Sequence, residues 1–426
     1  MLHRKSLLSA DKMKIAFFVY EFEPLLVGGL GVYAIEITKK FVELGNDVYV
    51  FTMNDGTLKE EEEINKVRVF RPKIFACEAI FPWIVNEDLA RWGTHLKFFA
   101  DIFAYNFLTA EKFLKIANKE KFDVVAFHDW LSAFSGVIIE NNLKEKIGTV
   151  FHIHSTEQQR SLGGGSETIK HIEKKAVEGA DGAITVSYAM KDHLKELGYP
   201  IEKIEVVYNG VDAEKYSLKN VDWNLVNELK KRYGIKEDEK VVFFIGRLTW
   251  VKGVYNLVHA LPLVLQDFPN VKLIILGKGE QYKDLLYHVK MHNLQEKVVI
   301  RSEWVSEKER IAHYALADLC VFPSLSEPFG IVCLEAMAME KPVVVGAAGI
   351  SGLREQVIPS GEKRTGVHVN GNDPKDIAWG IKVVLENWEE AKRWGKNGRK
   401  RVLENFTLDK VAKKTLEVYE KVLENQ

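Results

Sequence analysis

Along the chain, short apolar runs alternate with longer stretches whose apolar residues recur at helical spacing. Near-continuous apolar runs separated by helix-length segments are what a parallel sheet covered by helices on both faces requires. In the first half the runs predict strands over Lys14–Val19, Asp47–Thr52, Asp123–Phe127, Thr149–His152, Gly182–Val186 and Ile204–Val207. In the second half they predict strands over Val241–Ile245, Lys272–Leu276, Lys297–Ile300, Asp318–Phe322 and Pro342–Val345. A polar, helix-prone stretch from Ala213 to Glu239 separates the halves and places a boundary near Ser217. The expected fold is α/β, with two doubly wound domains over residues 1–217 and 218–407 that face each other across a cleft. An amphipathic segment, Leu408 to Leu423, predicts a terminal helix within 408–426 that packs back across the domains to the first.

One segment departs from this scheme. Arg71 to Phe113 is crowded with Phe75, Phe81, Trp83, Trp92, Phe98, Phe99, Phe103, Tyr105 and Phe107. Such density reads first as helices packed on the first sheet, or as a subunit contact that would make the protein a homo-oligomer. The alternative is an aromatic platform for sugar rings. Length agrees with two domains, since 426 residues exceed one ordinary core. Lys and Arg total 59 against 60 Asp and Glu, so no nucleic-acid or membrane-surface partner is expected. Cys77, Cys320 and Cys333 form no paired framework and read as buried thiols of a reducing compartment. The basic N-terminus holds only Leu7-Leu8 as an apolar stretch, and no run approaches the ~20 residues of a membrane span. A soluble, cytoplasmic protein is the expectation.

Polar and glycine residues fall where the predicted strands end, which is where open α/β sheets bind ligands. Gly28-Gly29-Leu30-Gly31 follows the first strand, His128-Asp129-Trp130 the strand ending at Phe127, and His152 with His154 the next. Asn209-Gly210 follows Val207, Gly246-Arg247 follows Ile245, Gly277 follows Leu276, and Ser324 to Glu327 follow Phe322. The glycines permit close backbone approach at a helix start, where free N–H groups favour an anion. Neither a dinucleotide fingerprint nor a Walker loop is present.

Arg247 and Lys252 flank the loop Gly246–Gly253 that opens a helix. A planar fork and a mobile ammonium suit a diphosphate, and fixed cations there would stabilise charge on a departing phosphate. Glu327 and Glu335, with the intervening chain helical, would stand about 12 Å apart at ~1.5 Å per residue. Paired glycosidase carboxylates sit ~5–9.5 Å apart, so two ends of one long ligand, a hexose and a ribose, suit this pair better. His128, Asp129, His152 and His154 invite a metal reading. His152 and His154 would share a strand face, but no carboxylate partners follow at ligand spacing, and hydrogen bonding to sugar hydroxyls is the preferred role.

Taken together, Gly28-Gly29-Leu30, His128-Asp129-Trp130, Asn209-Gly210-Val211-Asp212, Gly246-Arg247 with Lys252-Gly253, and Glu327-Pro-Phe-Gly with Glu335-Ala-Met-Ala resemble retaining glycosyltransferases of the GT-B fold. The likeness is greatest to glycogen and starch synthases and covers nearly the whole chain in order. It implies two Rossmann-like domains, an N-terminal acceptor side and a C-terminal nucleotide-sugar side. It implies that Arg247 and Lys252 hold the donor diphosphate, Glu327 the transferred sugar and Glu335 the ribose. His154 would lie by the glucose 6-hydroxyl and Asp129 near the sugar or acceptor. The backbone at Trp304-Val305 would meet the base. Gly28, Gly29, Gly330, Ile331 and the stretch Gly349, Ser351, Gly352 and Leu353 would line the donor. Glu21, His128, Trp130 and Asn209 are candidates on the acceptor side. ADP-glucose or UDP-glucose and an α-1,4-glucan are the implied partners, with no cofactor and no metal.

Bacterial glycogen synthases carry Lys-x-Gly-Gly-Leu, whereas Leu26-Val27 precede Gly28 here, and many lack the second glutamate that Glu335 supplies. These departures lean toward UDP-glucose or mixed donor use and toward relatives that make sucrose, trehalose or mannosyl products. A nucleotide-dependent oxidoreductase lacks its fingerprint, and a non-catalytic saccharide-binding protein would not need Arg247 or Lys252.

Overall fold

A computed structural model describes residues 12–425 apart from 27, 85 and 144. The chain folds into two sheets. The first holds β1 (Lys14–Phe18), β2 (Asp47–Phe51), β3 (Glu61–Ile64), β4 (Val67–Phe70), β5 (Val124–His128), β6 (Gly148–Ile153), β7 (Gly182–Thr185) and β8 (Ile204–Val206). Its spatial order is β3-β4-β2-β1-β5-β6-β7-β8, parallel throughout except for β3 against β4. The second holds β9 (Lys240–Ile245), β10 (Val271–Leu276), β11 (Val298–Arg301), β12 (Leu319–Phe322), β13 (Val343–Gly346) and β14 (Gly366–Val369) in the order β11-β10-β9-β12-β13-β14. All its pairings are parallel.

Each expected strand is present within a residue or so of its expected bounds. Three observed strands went unread. β3 is Glu-Glu-Glu-Ile, an acidic edge strand whose charges shield an otherwise open row of backbone groups. β4 and β14 have four residues each, too few for a run to stand out.

Strand order reverses between β1 and β5 in the first sheet and between β9 and β12 in the second. Loops diverge at such points and leave a crevice beyond the strand ends. The crevices are bordered by Asp129 and the Gly28 turn in one domain, and by Arg247 and Glu327 in the other.

The aromatic segment packs as helices on the first domain. Cys77, Phe81, Leu89, Phe99, Ile102 and Trp130 form a buried cluster with Ile169. Trp83 and Phe75 remain 88% and 58% exposed. All three cysteines are free and buried.

The chain crosses between domains twice. After β8 it leaves the first domain toward helix Trp223–Arg232, which packs on helix Glu307–Leu316. After helix Trp388–Asn405 it returns, and helix Leu408–Glu424 packs on helix Gly29–Glu43 and on β6. The crossings touch: Val211 donates its N–H to the Phe406 carbonyl at 2.9 Å, and Val211 pairs with Thr407. Among the described residues no helix is long and apolar enough to cross a membrane.

Candidate functional site

The second domain supplies the charged side of the crevice. The turn after β9 is exposed at Arg247, whose guanidinium has no protein partner among the described residues. Gly253 closes that turn with φ 67°, and a Cβ there would lie 2.0 Å from the Pro323 carbonyl oxygen. Only glycine lets the loop press so closely on the β12 turn, and this holds Lys252 beside Glu327. The Lys252 ammonium is in direct contact with the Glu327 carboxylate, which also accepts from the Ser324 hydroxyl at 3.3 Å. Glu327 is 7% exposed.

Backbone locks Glu327 to the loop after β13. Its N–H donates to Ile350 O at 2.8 Å, and Gly352 N–H donates to its carbonyl at 2.8 Å. Glu327 and Ser351 pair like adjacent strand residues. A Cβ on Gly352 would meet the Pro328 oxygen at 2.3 Å, so this position too needs close approach. Ser351 is buried and donates to Gly346 O at 2.6 Å. Gly349, with φ 62°, and buried Leu353 flank that pair. Gly330 caps helix Ile331–Ala338, which carries Glu335 one turn in.

Glu335 is also buried and accepts from the Tyr314 hydroxyl at 2.7 Å, while Arg310 lies 3.4 Å away. Arg310 in turn contacts the Tyr216 hydroxyl. A narrow pocket between the domains is lined by Tyr33, Glu36, Lys215, Arg310, Ile331 and Glu335. Trp304 is 78% exposed and Val305 is half-buried on the open turn after β11.

The first domain contributes constrained polar groups. Asp129 adopts φ 54°, a left-handed conformation that a non-glycine residue holds only against strain. In that geometry its carboxylate accepts the His154 N–H at 2.8 Å, and the residue is nearly buried. Asp129 therefore fixes the turn that presents His154. The His154 ring rests on Tyr33, centroids 4.7 Å apart.

The register of β5 on β6 aligns His128 with His152, and His154 stacks on both. His128 shares a hydrogen bond with Phe18 O at 3.0 Å, and His152 with the Tyr419 hydroxyl of the returning helix at 2.8 Å. Burial pushes His128 and His152 well below the usual histidine range, and neighbouring imidazole charge adds to it; burial also lowers His154. Neutral rings result. Each retains one buried nitrogen without a protein partner among the described residues: His128 Nε2, His152 Nδ1 and His154 Nε2. These three side chains come within 4.8 Å of one another, a cluster the sequence reading understated. Their planes, however, are inclined by only 15–26°, so in-plane lone pairs run side by side rather than converge.

Placement differs among the acceptor-side candidates. His128 is fully enclosed beneath the site, so its ring supports His152 and His154 rather than facing the crevice. Trp130 is buried in the aromatic cluster, stacked on Phe99 at 6.3 Å. Asn209 is 8% exposed beside the domain crossing. Glu21 accepts the Gly28 N–H at 2.9 Å. Gly28 precedes helix Gly29–Glu43, which has no side-chain cap and no acidic residue in its first turn. Gly29 faces open space.

Sequence reading missed the contacts that join the two walls. Gln159 Nε2 donates to the Ser326 hydroxyl at 2.9 Å, and the Ser187 hydroxyl donates to Pro328 O at 2.7 Å. The Glu355 carboxylate crosses the crevice to accept the Tyr188 and Ala189 N–H groups at 3.0 and 2.7 Å. Behind His154, Arg160 pairs with buried Glu173 at 2.8 Å and donates to the Ser155 hydroxyl. Isolated polar residues in helical stretches carry no signal for such pairings; only Ser326, next to Glu327, lay within a marked stretch.

Residues 27–215 match the family described as Glycosyltransferase Family 4, and residues 226–401 the one described as Glycosyl transferases group 1. An uncharacterised glycosyltransferase of Methanocaldococcus jannaschii is 33% identical over 421 residues, covering 97% of this chain and 99% of that protein. The chain belongs to the group 1 glycosyltransferases. This glycosyltransferase is also 28% identical over 424 residues to a glycogen synthase of Mycobacterium tuberculosis, covering 96% of this chain and 94% of that one. In fold it is similar to sucrose-phosphate synthase from Thermosynechococcus elongatus, with a TM-score of 0.76 and 23% identity over 97% of this chain and 100% of that one. Its two facing parallel-sheet domains are those of GT-B glycosyltransferases.

Proposed function

We propose that this glycosyltransferase is a glycogen/starch synthase-type enzyme that transfers glucose from ADP-glucose or UDP-glucose to the non-reducing end of an α-1,4-glucan, with retention of configuration. The observation carrying the proposal is the charge arrangement at the second switch point. Arg247 is exposed and without a protein partner among the described residues, and Lys252 is held at the same mouth by buried Glu327. A diphosphate entering there meets two cations without first breaking an Arg ion pair.

In this reading Arg247 and Lys252 take the diphosphate and Glu327 the hexose. The bond from sugar C1 to the phosphate oxygen breaks while C1 bonds to an acceptor oxygen on the same face. The acceptor proton passes to the departing phosphate oxygen. Fixed cations stabilise that phosphate as its charge grows. Neutral His154, aimed by Asp129, offers a ring nitrogen to a sugar hydroxyl. The reaction calls for no metal in this scheme, so activity in excess EDTA is expected to stay within twofold of the untreated enzyme. Inhibition rescued by added metal would overturn that statement.

Glu335 is assigned the ribose. Its partners Tyr314 and Arg310 hold the carboxylate at the domain boundary. Glu335→Gln keeps the shape but weakens acceptance from ribose hydroxyls, so the donor KM should rise about tenfold with kcat little changed, as for binding made equally in ground and transition states. An unchanged KM would remove the assignment.

A second reading keeps the donor site and changes the sugar or acceptor, to a mannosyl-, sucrose- or trehalose-type product. It is favoured by Leu26 where the bacterial synthases have lysine, and by the fold likeness to sucrose-phosphate synthase. The deciding experiment measures nucleotide release from ADP-glucose, UDP-glucose and GDP-mannose, with and without maltooligosaccharide. Glucan-dependent release with growth of the acceptor supports the first reading. Release with another sugar or acceptor alone moves the assignment to the second.

A further inference from the structure

Away from the crevice, a second group of imidazoles stands on two neighbouring helices. His259 lies on helix Val254–Asp267, His288 on helix Tyr282–Met291, and His292 just past the end of the latter. His288 and His292 are four positions apart, which sets them on one helix face, and the two helices pack together. One nitrogen of each ring lies within 4.8 Å of the others.

Ring orientation separates this group from the buried stack beneath the site. The His259 plane is inclined 60° to His288 and 78° to His292, with centroids 4.7 and 5.4 Å apart, while His288 and His292 are near-parallel at 20° and 6.2 Å. Lone pairs lie in the ring planes, so the crossed His259 ring can aim its lone pair at a point shared with the other two, which the uniformly stacked buried group cannot. Access differs too: His259 and His288 are partly buried and His292 is exposed.

Tyr255 orients two of the rings. Its carbonyl oxygen is 3.0 Å from His259 Nδ1, and its hydroxyl is 2.8 Å from His288 Nε2. Each of those histidines keeps its other ring nitrogen without a partner among the described residues. A ligating histidine commonly has this arrangement, one nitrogen held by an outer oxygen and the other turned to the metal. The Asp284 carboxylate, one turn before His288, adds favourable charge for a cation.

We propose that His259, His288 and His292 form a binding site for a borderline divalent cation such as Zn2+ or Ni2+, which clips helix Val254–Asp267 to helix Tyr282–Met291. Imidazole nitrogen suits these ions better than Mg2+ or Ca2+. At metal–nitrogen distances of ~2.0–2.1 Å, tetrahedral ligand atoms lie about 3.3 Å apart, so modest rotation of exposed His292 and of His288 closes the site around the ion, with water completing the shell. The clip also reaches the phosphate loop. Trp250, between Arg247 and Lys252, packs on Tyr255 with centroids 4.8 Å apart. The ion takes no part in the transfer, so the clip and the metal-free reaction are separate statements.

The test uses full-length protein, free of any polyhistidine tag and stripped with EDTA. It is titrated with Zn2+ by calorimetry and with Co2+ by visible absorption, and its thermal midpoint is followed with and without Zn2+. One equivalent should bind, Co2+ should give the spectrum of a nitrogen-ligated ion, and Zn2+ should raise the midpoint. His288→Gln with His292→Gln should weaken binding at least a hundredfold and abolish the midpoint shift. Tyr255→Phe should weaken binding about tenfold through loss of the outer hydrogen bond, and His171→Gln, an exposed histidine elsewhere, should change nothing. Failure of the parent protein to bind one equivalent would overturn the proposal. So would binding that survives in the double variant, which would place the ion elsewhere, as at the buried stack.

Discussion

Arg247→Ala is expected to lower donor turnover about a hundredfold or more while leaving the folding midpoint in place. The guanidinium is exposed and contacts no protein group among the described residues, so its removal strands nothing, and a surface change of this kind costs within ~0.5 kcal/mol. A hundredfold loss corresponds to ~2.7 kcal/mol of transition-state stabilisation, the size seen when one preorganised charge partner is removed. Lys252→Ala should match or exceed that loss and should also destabilise the fold. Its partner Glu327 is 7% exposed, and a buried carboxylate without its cation is costly. The pair thus separates a purely chemical cation from one that also supports the site. Near-normal turnover in both variants would end the diphosphate assignment.

Stability should fall steeply as pH drops below about 6.5, the ordinary histidine value. His128, His152 and His154 have pKa values lowered in the folded state, first by burial. The unfolded chain therefore binds more protons below the ordinary value. Their contribution is complete above it and is lost as pH falls toward the folded values. Each such group contributes a slope of up to about 1.4 kcal/mol per pH unit. Buried His193 and His313 act in the same direction. Urea midpoints at pH 7.5, 6.5 and 5.5 test this, and His154→Gln should flatten the lower segment by roughly one histidine's share. Equal midpoints at pH 7.5 and 5.5 would contradict a neutral stack.

Much of this architecture was legible because parallel strands buried on both faces leave long apolar runs, as at Val241–Ile245 and Lys272–Leu276. Four-residue β4 and β14 leave none, and acidic β3 belongs to an edge where charge, not burial, sets the sequence. Candidate site residues stood out where polar chemistry sits next to strand ends, as at Arg247 and Glu327. They were illegible where the partner is remote. Tyr419 meets His152 across 267 positions, and Gln159 meets Ser326 across 167. His128 carries a polar label on a strand end, yet its ring points into the core, because alternation decides which face a side chain takes. His288 and His292 stand four positions apart but were not singled out from the sequence, since His259 joins them only through helix packing.

The two crossings between domains lie side by side and are hydrogen-bonded at Val211 and Phe406. A lone tether would let the domains swivel freely about its length. Two bonded tethers resist that twist, because either would have to wind around the other. The joint acts like a strap hinge on a box lid, confining any relative movement of the two domains to one arc.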